Sequence, residues 1–258
     1  MVGLQFEVDP QLIPERVRRP WQFGYGEFNA QTKRTKTFAT LPHWTGSTWQ
    51  GGPNLPDPNT GYVILHANGG HAGNDQQHAT IRRWTAPFAG VVSITGQLHH
   101  PSESGDGVRG RIVSSRSGLH GEWIALHNTV ETPVASIEVQ PGDTLDFAID
   151  CRENVNSDSF GWTTLIKLKT TDGKERAWQS EKEFTGPPPP SFVSQVATAW
   201  QVAYGRPVTQ PELHAVLNFL NQQLPMLTST AATPDPELQA LTDLCQAVLS
   251  SNEFLYVD

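Results

Sequence analysis

The chain has 258 residues, of which 37% are hydrophobic and 17% are charged, and its formal net charge is -8 at pH 7. A chain of this length buries roughly 70 to 75% of its unfolded surface, so it supports one large domain or two smaller ones. Its 18 basic residues are scattered among 26 acidic ones, which argues against nucleic acid as a partner, and no run approaches the roughly 18 to 20 apolar residues that span a bilayer.

The first 186 residues are predicted to form a β-sandwich. Residues 40–59 are rich in proline and glycine and are predicted to be largely loop. From residue 81 to 168, apolar side chains recur with a period of two and turn residues interrupt them at short intervals, as in an all-β sandwich. The predicted strands lie at residues 62–66, 91–95, 108–113, 123–126, 135–139, 144–150 and 162–168. The predicted fold class is therefore a jelly-roll-like β-sandwich over residues 1–186.

A proline linker and a helical domain are predicted to follow the sandwich. Gly186 is followed by four prolines, which lack amide donors and stop both helix and sheet. The linker is assigned to residues 187–190 and a three-helix C-terminal domain to residues 191–258. The predicted helices begin at Phe192, at the capping box of Thr209 and at the N-cap Asp235, and Pro225 is predicted to end the second.

The densest polar cluster of the sequence consists of His66, His71, Asp75 and His78. Neutral imidazoles and a carboxylate are suitable ligands for zinc or another divalent metal. The spacing matches no established metal motif, and the glycines between residues 69 and 73 argue against a helix that would align two imidazoles. The alternative is a strand end and loop in which these side chains bond to the local backbone.

A second acidic group favours either calcium or turn chemistry. It contains Asp143, Asp146, Asp150, Asn154, Asn156 and Asp158, with Gly105-Asp106-Gly107 in another turn. Carboxylates and backbone carbonyls at a strand end are hard oxygen ligands of the kind that calcium prefers, so calcium is a candidate cofactor. The alternative is that these carboxylates cap turns, with Asp146 and Asp150 on the solvent face of their strand.

Aromatic residues form the third group. Trp21, Phe23, Tyr25, Phe28, Trp44 and Trp49 fall in a region rich in glycine and proline. Exposed aromatic faces near polar groups grip a sugar ring or a peptide, whereas buried ones plug the ends of a sandwich. The predicted ligand-binding residues are Trp44, Trp49, Tyr25, His71, Asp75 and Arg83. Because adjacent strand residues point to opposite faces, only one guanidinium of the pair Arg82 and Arg83 joins any one site.

The sequence offers no positive sign of enzymatic turnover. It contains no G-x-S-x-G nucleophile elbow and no phosphate-cradling glycine motif. Its two cysteines, Cys151 and Cys245, form no C-x-x-C pair for zinc and no C-x-x-C-H site for haem. They are expected to be buried hydrophobes, and a single bridge between them is the alternative in an oxidising compartment.

Several stretches resemble a known family. The segments at residues 204–213 and 241–257 are similar to the C-terminal domain of unknown function in planctomycete cytochrome c-type multidomain exported proteins. The segments at residues 71–75, 81–87, 105–108 and 142–147 look like the sandwich often inserted in such proteins. The resemblance implies an extracytoplasmic full-length protein with a cytochrome-like partner region. The haem motif and export signal of those relatives have no counterpart in this sequence, so no residue here inherits electron transfer.

The leading functional prediction is a non-catalytic binding or scaffold module whose ligand is carbohydrate. A metal-dependent hydrolase centred on His66, His71, Asp75 and His78 is the second hypothesis. A structural part of an extracytoplasmic redox assembly is the third.

Overall fold

The computed structural model describes residues 20–187, 191–229 and 235–255. These residues belong to two compact units, a β-sandwich over residues 20–187 and a helical unit over residues 191–255. Three of the four residues assigned to the proline linker, 188–190, lie outside the described residues. The predicted class, a β-sandwich followed by a small helical domain, is confirmed.

The described part of the first unit contains seventeen strands and one short 3-10 turn at Gln76–His78. In chain order the strands are β1 (Trp21–Gly26), β2 (Phe28–Asn29), β3 (Arg34–Thr35), β4 (Ala39–Thr40), β5 (His43–Trp44), β6 (Trp49–Gln50), β7 (Ile64–His66), β8 (Gly69–His71), β9 (Ala79–Thr85), β10 (Gly90–His99), β11 (Val108–Ser114), β12 (Gly118–Ala125), β13 (Thr129–Glu131), β14 (Val134–Val139), β15 (Thr144–Asp150), β16 (Ser159–Thr170) and β17 (Glu175–Gln179).

Two antiparallel sheets form the layers of the sandwich. The six-stranded sheet has the order β12-β11-β15-β9-β1-β4. The nine-stranded sheet has the order β13-β10-β16-β8-β7-β6-β5, with β14 pairing to β10 and β17 to β16. Strands β2 and β3 form a separate two-stranded hairpin. Several neighbouring strands are far apart in sequence, such as β9 with β1 and β15, and β16 with β10 and β8, as in a jelly roll.

The inner faces of the two sheets form one hydrophobic core. Phe147 of β15 meets Trp162 of β16 edge to face, with ring centroids 5.7 Å apart. Trp84 and Trp162 are buried, which confirms their prediction as core residues. Trp21 and Phe23, predicted to lie in a loop-rich aromatic region, are instead inward-facing residues of β1 and belong to this core. Tyr25 continues their alternation with a period of two and packs against the same core.

The outer face of the six-stranded sheet is closed, which corrects the prediction that Asp146 and Asp150 face solvent. Both carboxylates are almost fully buried. Arg83 bonds Asp146 at 2.7 and 2.8 Å, and Arg109 bonds Asp150 at 2.9 and 3.2 Å. Arg111 also pairs with Asp150. The polar residues that alternate along these strands form ion pairs with one another across the sheet. Their alternation therefore does not mark a solvent-exposed face.

A connecting segment lies over this ion-paired face. The ring of Phe28 in β2 lies 4.4 Å from the guanidinium carbon of Arg111, and the ring of Phe38 lies 3.8 Å from that of Arg83. Arg34 of β3 donates hydrogen bonds to the carbonyls of Ser115 and Arg116. Stacking of aromatic rings on arginines covers the salt bridges, so the segment from β2 to β4 acts as an outer layer.

Four helices make up the described part of the second unit: α1 (Phe192–Tyr204), α2 (Gln210–Ser229), α3 (Pro236–Leu249) and α4 (Asn252–Leu255). Ser191 and Asp235 cap α1 and α3, and Gly205 ends α1 in the left-handed conformation at φ 68°. The prediction that Pro225 ends the second helix is wrong, because α2 continues through it to Ser229.

The helical unit has its own hydrophobic core, which explains why α2 passes a proline. Leu220 and Leu224, five residues and one residue before Pro225, are buried in that core, and their packing offsets the hydrogen bond that proline cannot donate. No helix within the described ranges is long and apolar enough to cross a membrane.

Candidate ligand-binding face

The outer face of the nine-stranded sheet carries the candidate site, and the strand register sets which side chains share it. His71 of β8 lies opposite Ile64 of β7 and Ser159 of β16, while Gly69 lies opposite His66 and Gly161. Directly paired residues point to the same side of a sheet, and residues two apart along a strand do so as well. His66 and His71 therefore lie on one face with Ser159 and Gly161.

A cleft of about 400 Å³ opens on this face. Its principal lining side chains are Leu55, Tyr62, Ile64, His66, His71 and Pro101. The side chain of Tyr62 is 45% exposed, and its ring centroid lies 5.5 Å from that of His71. The cleft thus combines an accessible aromatic ring with two imidazoles.

Hydrogen bonds orient both imidazoles. His71 Nδ1 lies 2.6 Å from the carbonyl of Ala72, which only accepts, so this nitrogen carries the proton and donates. His66 Nδ1 lies 2.9 Å from Asn68 Oδ1. Burial lowers the pKa of His71 and of His66 below the usual value of 6.5. Both rings are therefore neutral at pH 7, which leaves each Nε2 as a hydrogen-bond acceptor.

A buried arginine holds the wall of the cleft from inside the sandwich. Arg82 of β9 is almost fully buried, and its Nη2 donates to the carbonyls of His66 and Gly69 at 2.6 and 3.0 Å. Burial lowers the pKa of Arg82 to about 10, so the guanidinium stays charged at neutral pH. Charged donors bind carbonyls strongly in a low dielectric, so Arg82 fixes the backbone of β7 and β8.

The predicted metal cluster divides into two pairs. His66 and His71 line the cleft, whereas Asp75 and His78 bond each other, with Nδ1 2.8 Å from Oδ1. Asp75 also accepts from the amides of Gln77 and His78 and so caps the 3-10 turn. Nowhere in the described residues do three His, Cys, Asp or Glu side chains come close enough to hold a metal ion. This corrects the expectation of a four-ligand site, because the turn uses its carboxylate as a cap.

The predicted aromatic ligand residues lie in separate places. Tyr25 stacks on His78, with ring centroids 5.7 Å apart, at the margin of the core. The rings of Trp44 and Trp49 are tilted by 49° with centroids 5.3 Å apart, and Trp44 also packs on Phe184 with centroids 5.7 Å apart. Trp49 Nε1 donates to the carbonyl of Thr185 at 2.8 Å. The two tryptophans therefore pack against the C-terminal end of the sandwich unit. This is the alternative in which the aromatic residues plug an end of the sandwich.

Arg83 and Asp75 also lie outside the cleft. Arg83 belongs to the outer face of the six-stranded sheet, where Asp146 and Phe38 occupy its guanidinium. As predicted, Arg82 and Arg83 point to opposite faces. Of the six residues predicted to bind a ligand, the cleft contains His71 alone.

The acidic group also separates by partner. Asp146 and Asp150 are bound by arginines, and Asp143 pairs with Arg116 at 2.5 Å. Asp158 is fully buried, and neither of its carboxylate oxygens has a partner among the described residues. Burial, together with the neighbouring charges of Asp106 and Asp150, raises the pKa of Asp158 to about 7. Calcium at this turn stays a prediction.

Sequence reasoning missed Tyr62, Leu55 and Pro101 as site residues. The sequence predicts Tyr62 only as the start of a strand, and the structure places it just before β7. The sequence does contain one signal for this face: Ile64 and His66 are two residues apart in β7 and so lie on the same side of the strand. The partner strand β8 consists of two glycines and a histidine, so its pairing gave no hydrophobic pattern to read.

Comparison with solved structures finds matches at low similarity only. The C-terminal carbohydrate-binding module (CBM6) of LamC from Zobellia galactanivorans is 13% identical, with a TM-score of 0.22 over 34% of this chain and 72% of that one. The PA14 sugar-binding domain of an RTX adhesin is 9% identical, with a TM-score of 0.29 over 62% and 96%. GITRL from bushbaby is 13% identical, with a TM-score of 0.25 over 57% and 94%.

These likenesses include carbohydrate-binding modules, but at such TM-scores they carry no argument about the ligand of this chain. No protein-family model matches the chain, and no curated protein matches it. The planctomycete resemblance and the cytochrome-like partner therefore stay predictions.

Proposed function

We propose that the β-sandwich unit is a carbohydrate-binding module and that sugar binds in the cleft formed by Tyr62, His66 and His71. The observation that carries this proposal is the exposed ring of Tyr62 beside two neutral imidazoles in a cleft of about 400 Å³. The volume is within the usual range for small-ligand sites, which is roughly 300 to 1,000 Å³.

The chemistry of the lining matches a pyranose ring. A sugar presents an apolar face of C–H groups and a rim of hydroxyls. The ring of Tyr62, together with Leu55, supplies a flat apolar surface. Each neutral imidazole can accept a hydrogen bond from a sugar hydroxyl through Nε2. No Lys or Arg is among the described lining residues, which favours an uncharged sugar over an anionic one.

The lining supports binding more than turnover. Glycoside hydrolysis uses a pair of carboxyl groups on either side of the bond that breaks. Of the described residues that line the cleft, none is Asp or Glu. The proposal is therefore recognition of carbohydrate without cleavage.

A glycan array of neutral mono- and oligosaccharides, followed by calorimetry with the best binder, tests this function. Tyr62→Ala removes the stacking surface and is expected to weaken binding about 10-fold or more, the effect of losing roughly 1.4 kcal/mol. Ile124→Ala is the matched control, because Ile124 is 46% exposed and lies on the other sheet. The proposal fails if no array sugar binds, or if both variants retain wild-type affinity.

A further inference from the structure

A second depression lies on the same face of the nine-stranded sheet. This groove has a volume of about 330 Å³. Its polar lining includes Thr95, Gln97, Glu131, Thr163, Gln179 and Glu181. Thr95 and Gln97 are exposed, and Gln97 Nε2 donates to Glu131 Oε1 at 2.7 Å. The groove therefore offers hydroxyl, amide and carboxylate groups to a ligand.

The groove and the cleft lie next to each other along β16. Ser159 and Gly161 line the cleft, and Thr163 and Leu165 line the groove. These four residues are two apart in sequence, so they point to the same side of the strand. The distance from residue 159 to residue 165 is six strand steps, or about 20 Å. Such a length exceeds that of a single sugar ring several times over.

Gly161 lies at the junction of the two depressions and leaves the floor open. A Cβ added there meets no protein atom closer than 3.6 Å, the nearest being the carbonyl oxygen of Asn68 and, at 3.7 Å, Cβ of His99. These are ordinary contact distances, so packing within the protein does not require glycine at this position. Glycine within a strand often marks a close approach by a ligand, and here a side chain would stand between cleft and groove.

We infer that the ligand is a linear, uncharged polysaccharide whose chain runs from the cleft, across Gly161, into the groove. This inference rests on the proposed function of the cleft. Among the described residues, the groove lining includes Glu131 and Glu181 but no Lys or Arg, which disfavours acidic polysaccharides. The hydroxyl and amide groups match the hydroxyl rims of successive sugar units.

Calorimetry with a mono- to hexasaccharide series of the sugar that binds best tests the inference. For the unmodified chain, affinity is expected to rise about 10-fold or more from the monosaccharide to the longest oligomer, as additional units contact the groove. Gly161→Val is expected to abolish most of this rise by blocking the junction. Gln97→Ala is expected to reduce the rise while leaving monosaccharide affinity unchanged, because it alters the groove alone.

Two controls make the result decisive. Lys167→Ala changes an exposed residue beyond the groove on β16 and should preserve the full rise. The melting temperature of Gly161→Val reports whether the sheet is intact. If this variant is destabilised, Gln97→Ala takes its place as the test of the groove. Monosaccharide binding without dependence on chain length, or groove variants identical to Lys167→Ala, would overturn the inference and leave the proposed function intact. Loss of all sugar binding in the unmodified chain would overturn the function itself.

Discussion

On the outer face of the six-stranded sheet, Asp146 and Asp150 are buried under arginines and under the rings of Phe28 and Phe38. On the outer face of the nine-stranded sheet, Gln97 stays exposed beside two open depressions. Both faces are polar in sequence, yet one is an internal layer and the other is a surface. Polar alternation along a strand therefore shows which side chains avoid the core, but not whether another segment covers them.

The largest expected effect on stability comes from disrupting the ion pairs on the closed outer face of the six-stranded sheet. Asp150→Asn removes the charge that binds both Arg109 and Arg111, of which Arg111 is almost fully buried. Arg111 keeps Glu122 as a partner, with Nε 2.6 Å from Oε2, so the cost is smaller than that of an unpaired buried charge. We expect the free energy of unfolding, measured with urea, to fall by about 2 to 3 kcal/mol.

Lys174→Ala is the control for that measurement. It removes an exposed ion pair with Asp172 and is expected to change stability by less than about 0.5 kcal/mol. Equal effects of the two substitutions would mean that the outer face of the six-stranded sheet is not closed.

The next effect concerns the buried carboxyl of Asp158. Its pKa in the folded state, about 7, lies above the ordinary value of 3.8, so the folded state binds more protons between those values. Stability therefore falls as pH rises from about 4 to 7. Asp158→Asn keeps the shape without the charge and is expected to raise the melting temperature at pH 8 but not at pH 4. A gain of equal size at both pH values would show that ionisation of this carboxyl is not the cause.

A smaller effect is expected from the aromatic cover. Phe38→Ala removes the ring over Arg83 while leaving the ion pair with Asp146 in place. The expected loss is about 1 to 2 kcal/mol from stacking and partial burial. Phe38→Leu, which keeps apolar cover without the ring face, should lose less. If Phe38→Ala unfolds at the same urea concentration as the unmodified chain, the segment does not stabilise this face.

The sequence predicted the sandwich because Leu145, Phe147 and Ile149 alternate with polar residues on a strand, a pattern that depends only on local geometry. It could not predict that Asp146 and Asp150 are buried, because their arginine partners come from other strands. Composition predicts Trp44 and Trp49 as ligand residues, but Phe184 and Thr185, which they contact, lie more than a hundred residues away in sequence. Long-range pairing of this kind leaves no local signal.

The candidate site was predictable only in part for the same reason. His66 and His71 were identified from their density, and they do share the cleft. Their neighbours Ser159 and Gly161 join them through the pairing of β8 with β16, across nearly ninety residues of chain. Proximity in sequence predicts Asp75 and His78 in the same cluster, but both belong to the capped 3-10 turn and lie outside the cleft.

Chemical-shift mapping by NMR tests most directly whether the outer face of the nine-stranded sheet binds carbohydrate. An isotope-labelled sample of the full chain is titrated with the oligosaccharide that ranks first on the array, and the backbone amide shifts are followed. We predict that the perturbed amides fall on β7, β8 and β16, with His71 and Gly161 among them. Perturbations confined to the six-stranded sheet or to the helical unit would contradict it.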